Sequence, residues 1–153
     1  MTSLETKIPP PLVALIFIGL IWMLSDISPI VPFDNMLRLM LSVAGLMLGF
    51  GFAISGSLSF KAAGTTINPL KPETTSFLVT SGVYRVSRNP MYVGMAFLLL
   101  AWTIYLAAPA GLLGVAGFIA YINRFQILPE EQALKVLFGA EFEAYLLSVR
   151  RWL

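Results

Sequence analysis

Two polar stretches hold most of the residues able to do chemistry in this 153-residue chain. The first reads Thr80-Ser81-Gly82-Val83-Tyr84-Arg85-Val86-Ser87-Arg88-Asn89-Pro90-Met91-Tyr92-Val93-Gly94. The second opens Pro129-Glu130-Glu131-Gln132-Ala133-Leu134 and continues through Phe138-Gly139, Phe142 and Tyr145 to Val149-Arg150-Arg151-Trp152. The chain has no cysteine and no histidine. That removes the thiol nucleophile, the commonest general base and the usual zinc and haem ligands, and no metal is expected. Chemistry is left to carboxylates, guanidiniums, phenols and an amide, or to a cofactor that brings its own reactivity.

Each stretch also has a purely structural reading. Arg85 and Arg88 suit lipid phosphates, and Asn89-Pro90 suits a helix start, where proline is welcome. Glu130 and Glu131 suit the positive end of a helix dipole. Tyr84, Tyr92 and Trp152 suit the aromatic belt of a membrane interface.

The elements that must position these residues are apolar. The chain is 58% hydrophobic and 12% charged, against about 25% charged in soluble domains. Only lipid accommodates so apolar an exterior, so an all-α polytopic membrane protein is expected. Four spans are predicted, at about 9–25, 37–60, 91–108 and 110–128. The first could instead be read as a signal peptide core, but no small-residue cleavage site follows it. Gly45 and Gly49 form a GxxxG pair suited to close helix packing. Pro109, between Ala108 and Ala110, divides the uncharged run from Asn89 to Asn123 into a hairpin. Residues 61–89 form a long polar loop, and residues 130–152 carry charges at helical spacing, as interfacial amphipathic helices do. The whole chain reads as one domain.

With four spans, both termini and the 61–89 loop share a side. That side holds every Lys and Arg except Arg38, which the positive-inside rule assigns to the cytoplasm. The net charge of +2 is too small to point to nucleic acid.

Taken together, the two stretches resemble the isoprenylcysteine carboxyl methyltransferase and phospholipid methyltransferase superfamily of integral membrane enzymes. The resemblance covers roughly Gly64 to Trp152. It rests on Leu78-Val79-Thr80-Ser81-Gly82-Val83-Tyr84, on Arg88-Asn89-Pro90-Met91-Tyr92-Val93-Gly94, and on the series from Glu130-Glu131 through Phe138-Gly139 and Tyr145 to Arg151-Trp152. It implies methyl transfer from S-adenosyl-L-methionine. Family cofactor positions fall on Ser76, Phe77, Leu78, Val79, Tyr84, Asn89, Pro90, Met91, Tyr92 and Glu130, with a further contact near Asn68. Arg88 and Glu131 are the candidate catalytic residues, and Arg124 and Gln126 the candidate substrate contacts. Two departures stand out. Asn89 occupies the place of the family's usual histidine and cannot titrate. Gln126 occupies the place of the arginine that binds substrate in the prenylcysteine enzymes.

The residues present suit this chemistry. A sulfonium methyl is already activated, so the protein has to align a nucleophile and exclude water. Glu130, or else Glu131, would sit near the cofactor's cationic groups, and Tyr84 or Tyr92 would offer an aromatic face. Arg85, Arg88 or Arg124 would hold a carboxylate or another anionic group. A carboxylate acceptor needs no base, whereas an amine or thiol would benefit from Glu131. The expected partners are membrane lipid and a lipophilic or small-molecule methyl acceptor. The rival classes are a small transporter, a non-catalytic scaffold and, in a related architecture, a nicotinamide-dependent sterol reductase. A transporter would carry a charged residue in mid-span, and none lies between Leu39 and Phe60 or between Asn89 and Asn123.

Overall fold

A computed structural model describes residues 7–29, 31–32, 34–64 and 77–153. Among these residues the chain is helical, with no strands. The helices are α1 (Pro10–Ile27), α2 (Asn35–Ala62), α3 (Pro90–Leu106), α4 (Gly111–Ile122) and α5 (Leu128–Ser148). A 3-10 turn at Gly82–Arg85 precedes α3, and a π-helical turn at Asn123–Ile127 joins α4 to α5.

Local chemistry sets the helix starts. Prolines occupy the first turns of α1 and α3, where the missing N–H costs nothing. Asp34 caps α2 by accepting from the Leu37 amide at 2.9 Å. Between α3 and α4 the chain turns through Ala107, which is left-handed at φ 51°. Ser28 Oγ braces that hairpin by accepting from the Ala110 amide at 3.2 Å.

α1, α2 and the run from Gly111 onward are long and apolar enough to cross a membrane. α3 has 17 residues, a length of about 25 Å. The outer faces of α1 and α2 expose large apolar residues such as Leu15, Met23, Met40 and Met47. In water this would be a severe liability, and in lipid it is the required surface. The protein is therefore a membrane protein.

α3 packs against α1, α2 and α4, and α1 also packs on α4. The α2–α3 seam is made by glycine. A Cβ at Gly45 would meet the Ala101 Cβ at 2.9 Å, one at Gly49 would meet Leu98 at 2.7 Å, and one at Gly56 would meet Met91 at 2.8 Å. From the other side, a Cβ at Gly94 would lie 2.6 Å from the Gly49 carbonyl oxygen. Such close backbone approach is how helices gain packing energy where lipid supplies no hydrophobic drive. The core proper lies between α1, α3 and the α4–α5 run, around Val13, Ile21, Tyr92, Leu99, Phe118, Ile122 and Ile127.

Pro129 does not end the fourth helix. The backbone stays helical through Ile127 and Leu128. A proline in mid-helix normally clashes with the carbonyl four residues back. Here the π turn widens the coil just before it, and the Leu128 N–H reaches back to the Asn123 carbonyl. The break falls instead at Gly139, whose φ of 49° and ψ of −121° divide α5 into two pieces. The second piece carries Phe142 and Tyr145 into buried positions.

Candidate functional site

The helix start at Asn89-Pro90 brings the two polar stretches together. Consecutive residues around it leave in different directions. Met91 faces α2, with its sulfur 3.6 Å from Ser57 Oγ. Tyr92 is buried, and its hydroxyl donates to Glu130 Oε1 at 2.6 Å. Arg88 faces the C-terminal segment.

The first cluster is Tyr84, Tyr92 and Glu130. Tyr84 is held by the 3-10 turn, which Gly82 opens with a φ of 61°. Its ring meets Phe60 of α2 edge-on at 5.3 Å. Its carbonyl accepts from the Tyr145 hydroxyl at 2.7 Å. Glu130 lies just beyond the apolar part of the fourth helix and keeps some accessible surface. Burial pushes its carboxyl up to about 8, the Tyr92 hydrogen bond pulls it back, and the Glu131 charge pushes it up further. Burial also raises the Tyr84 phenol, with Tyr145 and Glu130 adding to the effect. Tyr145 is pushed up to about 12 by burial, against the opposing pull of Arg88.

The second cluster is an ion triad with a strap of backbone across it. Glu131 receives Arg88 Nη2 at 3.0 Å on Oε1. Arg151 donates to it twice, Nε to Oε1 at 3.1 Å and Nη2 to Oε2 at 2.6 Å. Arg88 and Glu131 are largely withdrawn from solvent, at 12% and 16% side-chain exposure. Arg88 Nη1 also donates to the carbonyls of Leu146 and Val149. Asn89 Nδ2 donates to the Arg151 carbonyl at 2.9 Å, Ser87 Oγ does so at 3.3 Å, and the Arg88 amide reaches the Arg150 carbonyl at 3.0 Å. Trp152 Nε1 closes the strap on Asn123 Oδ1 at 3.1 Å. Residues 149–152 are thereby fastened over the head of α3.

Of the sequence-derived site residues, Tyr84, Asn89, Pro90, Tyr92, Glu130, Glu131 and Arg88 gather at this one end of the bundle. Val79 and Pro90 are buried, Leu78 is half-buried and Phe77 is exposed. Ser76 and the position near Asn68 lie outside the described residues. The two candidate substrate contacts have contrasting settings. Arg124 is exposed, 5.5 Å from the Phe125 ring centre. Gln126 is fully buried, and its Nε2 donates to the Ile8 carbonyl at 2.7 Å. Its Oε1 has no partner among the described residues.

Sequence reasoning passed over Arg151, Asn123 and Tyr145 as individual site residues. Arg151 and Tyr145 stood within the quoted motifs, but only their partners reveal their roles. Asn123 gave one signal, as the first polar residue after an uncharged run.

The arrangement offers a carboxylate and aromatic rings to a cationic, partly aromatic ligand, and a rigid floor of paired charges beside it. Among the described residues, no group of three or more Asp and Glu side chains is arranged to hold a metal ion.

No solved structure matches the chain. An uncharacterized protein of Haemophilus influenzae is 48% identical over 63 residues, which is 41% of this chain and all of that protein. Residues 37–141, spanning α2 to the second part of α5, match the family described as phospholipid methyltransferase. Since the match takes in most of the chain, from α2 through Glu130 and Glu131, the protein belongs to the phospholipid methyltransferase family.

Proposed function

We propose that this membrane methyltransferase takes its methyl group from S-adenosyl-L-methionine and transfers it to a lipophilic acceptor at the cytoplasmic face of the bilayer. The observation that carries the reading is the Glu130 carboxylate, hydrogen-bonded to Tyr92 and beside Tyr84, at the point where two family motifs meet. The residues fit the donor. It carries an ammonium and a sulfonium, which a carboxylate and aromatic faces favour, and it supplies a methyl group already activated toward nucleophiles.

In this reading Glu130, Tyr84, Tyr92, Asn89 and Pro90, with the backbone of Met91 and the segment from Phe77 to Val79, form the cofactor wall. Both oxygens of Glu131 are engaged by guanidiniums. Arg88 and Glu131 therefore act by fixing the head of α3 against the C-terminal strap. The residue able to take a proton from an amine or thiol acceptor is then Glu130. The strap and Tyr145 exclude water from one side, which preserves the alignment on which methyl transfer depends.

A prenylcysteine-like carboxylate and a phospholipid amine are the two leading acceptors, with a small thiol as a third. The burial of Gln126, with its amide committed to Ile8, favours the amine. A neutral amide cannot form the bidentate charged pair with which arginine grips a carboxylate.

Calorimetric titration of S-adenosylmethionine into the detergent-solubilised protein tests the proposal. Saturable binding is expected, weakened more by Glu130→Ala and Tyr92→Ala than by the packing variant Gly45→Ala. A folded protein that binds no cofactor overturns the activity. Equal losses in all three variants overturn the site assignment.

A further inference from the structure

Arg151 is held at both ends. Its carbonyl accepts from Asn89 Nδ2 at 2.9 Å and from Ser87 Oγ at 3.3 Å. Its guanidinium grips both oxygens of Glu131, Nε on Oε1 at 3.1 Å and Nη2 on Oε2 at 2.6 Å. Arg88 reaches only Oε1, and it spends Nη1 on the carbonyls of Leu146 and Val149. Among the described residues, Oε2 of Glu131 therefore depends on Arg151 alone. The side chain of Arg151 is 35% exposed against 12% for Arg88, so Arg151 is the arm of the triad nearer to solvent.

We propose that Arg151 is a positioning residue for the cationic ligand: by occupying Glu131 from the strap, it leaves Glu130 as the carboxylate of the pair presented to that ligand. This rests on the cofactor site proposed above. Glu130 and Glu131 are consecutive on α5. Two adjacent carboxylates with little solvent between them oppose each other's ionisation unless one is neutralised. The Arg151 fork does so geometrically, because a bidentate guanidinium fixes both the charge and the direction of the carboxylate that it holds. The groups that face Glu130 are Tyr92 of α3, Tyr84 of the 3-10 turn and Glu131 of its own helix. Arg88 and Tyr145 stand behind them, Arg88 on Glu131 and Tyr145 on the Tyr84 carbonyl. The phenols are neutral donors, so the charge that opposes ionised Glu130 is that of Glu131. With Arg151 removed, Glu131 keeps only the Arg88 bond on Oε1, and its charge bears more strongly on Glu130. Glu130 then holds its proton more firmly, and a protonated carboxyl does not attract an ammonium or sulfonium. The strap thus acts on the ligand through Glu131 and Glu130, without touching it.

The test is the pH profile of S-adenosylmethionine affinity, measured by calorimetry on the full chain in detergent. The proteins compared are the parent, Arg151→Gln, Arg151→Lys, and Arg151→Gln combined with Glu131→Gln. In Arg151→Gln the affinity should be several-fold weaker below pH 8 and little changed well above it, so that the profile is displaced to higher pH. Adding Glu131→Gln removes the charge that Arg151 had held, and should bring the profile back toward that of the parent. A loss by one factor at every pH, unrelieved by Glu131→Gln, would mean that Arg151 only braces the fold, and overturns the proposal. A profile of Arg151→Gln that coincides with that of the parent overturns it too. Should Arg151→Gln fail to fold, Arg151→Lys carries the test. Lysine keeps the charge but cannot span both oxygens as the fork does, so a smaller displacement in the same direction is expected, and an undisplaced profile overturns the proposal. A parent that binds no S-adenosylmethionine, or binds it equally at every pH, overturns the cofactor reading itself, and this inference with it.

Discussion

Glu130 and Glu131 are neighbours in sequence with opposite circumstances. Glu131 is held between Arg88 and Arg151, whereas Glu130 meets a phenol and a desolvating wall. That difference has a measurable consequence. The native Glu130 keeps its proton up to about 8, while an unfolded chain ionises it above the ordinary value of 4.5. Between these values the native state binds more protons than the unfolded one, so Glu130 lowers stability as pH rises through this window. Binding of a cationic cofactor has the opposite sign. In the proposed site it requires the ionised carboxylate, so affinity should strengthen with pH, by at most about tenfold per unit, and level off above 8. Titrations of S-adenosylmethionine at several pH values should show this slope in the parent and a flat profile in Glu130→Gln. A parent profile that is flat as well would sink the role given to Glu130. The pairing itself was legible in part, since the sequence singled out Glu130, Tyr92 and Tyr84. The partners of Glu131 were not legible, because Arg151 lies 20 residues away and reaches it only after the helix breaks at Gly139.

Among the elements, α2 and α3 show how far composition reaches and where it stops. The sequence marks Gly45 and Gly49 as a packing pair, and the seam is indeed made there. It does not distinguish these glycines from Gly51, two residues further on, which faces outward with open space beside it. About 3.6 residues per turn make the two faces alternate within a few positions, and only the partner helix decides which face is used. Gly94→Ala should therefore destabilise the protein by about 1–3 kcal/mol, because the new methyl would press on the Gly49 carbonyl, a backbone atom that cannot step aside. Gly51→Ala should be nearly neutral. Thermal unfolding in detergent measures both, and similar losses at the two positions would contradict the assigned seam. The fourth helix is the opposite lesson. A proline after an apolar run looks like a boundary, yet a π turn carries the helix past Pro129 and leaves Glu130 and Glu131 on a rigid element rather than on a loop.

For the whole molecule, charge distribution and helix packing point the same way. Nine of the ten basic residues fall on one predicted side, and Arg38 on the other. The absence of native cysteine makes this directly testable with single-cysteine variants. Lys7→Cys, Arg85→Cys and Lys135→Cys should react with an impermeant maleimide from the cytoplasmic side of oriented vesicles, and Asn35→Cys only from the opposite side. Labelling of Lys7→Cys and Arg85→Cys from different sides would break the four-span topology on which the proposed cytoplasmic placement of the site depends.

By itself the sequence determined the membrane environment, the helical class and the family. These follow from bulk apolarity, hydrophobic run length and local motifs, all of which are properties of contiguous residues. The tertiary structure decided which of two adjacent glutamates pairs with guanidiniums and which with a phenol, that Gln126 is buried against Ile8, and that the last residues strap the head of α3. Each of these depends on contacts between residues far apart in the chain, and such contacts exist only once the glycine seam, the π turn and the Gly139 break have fixed the path of the backbone.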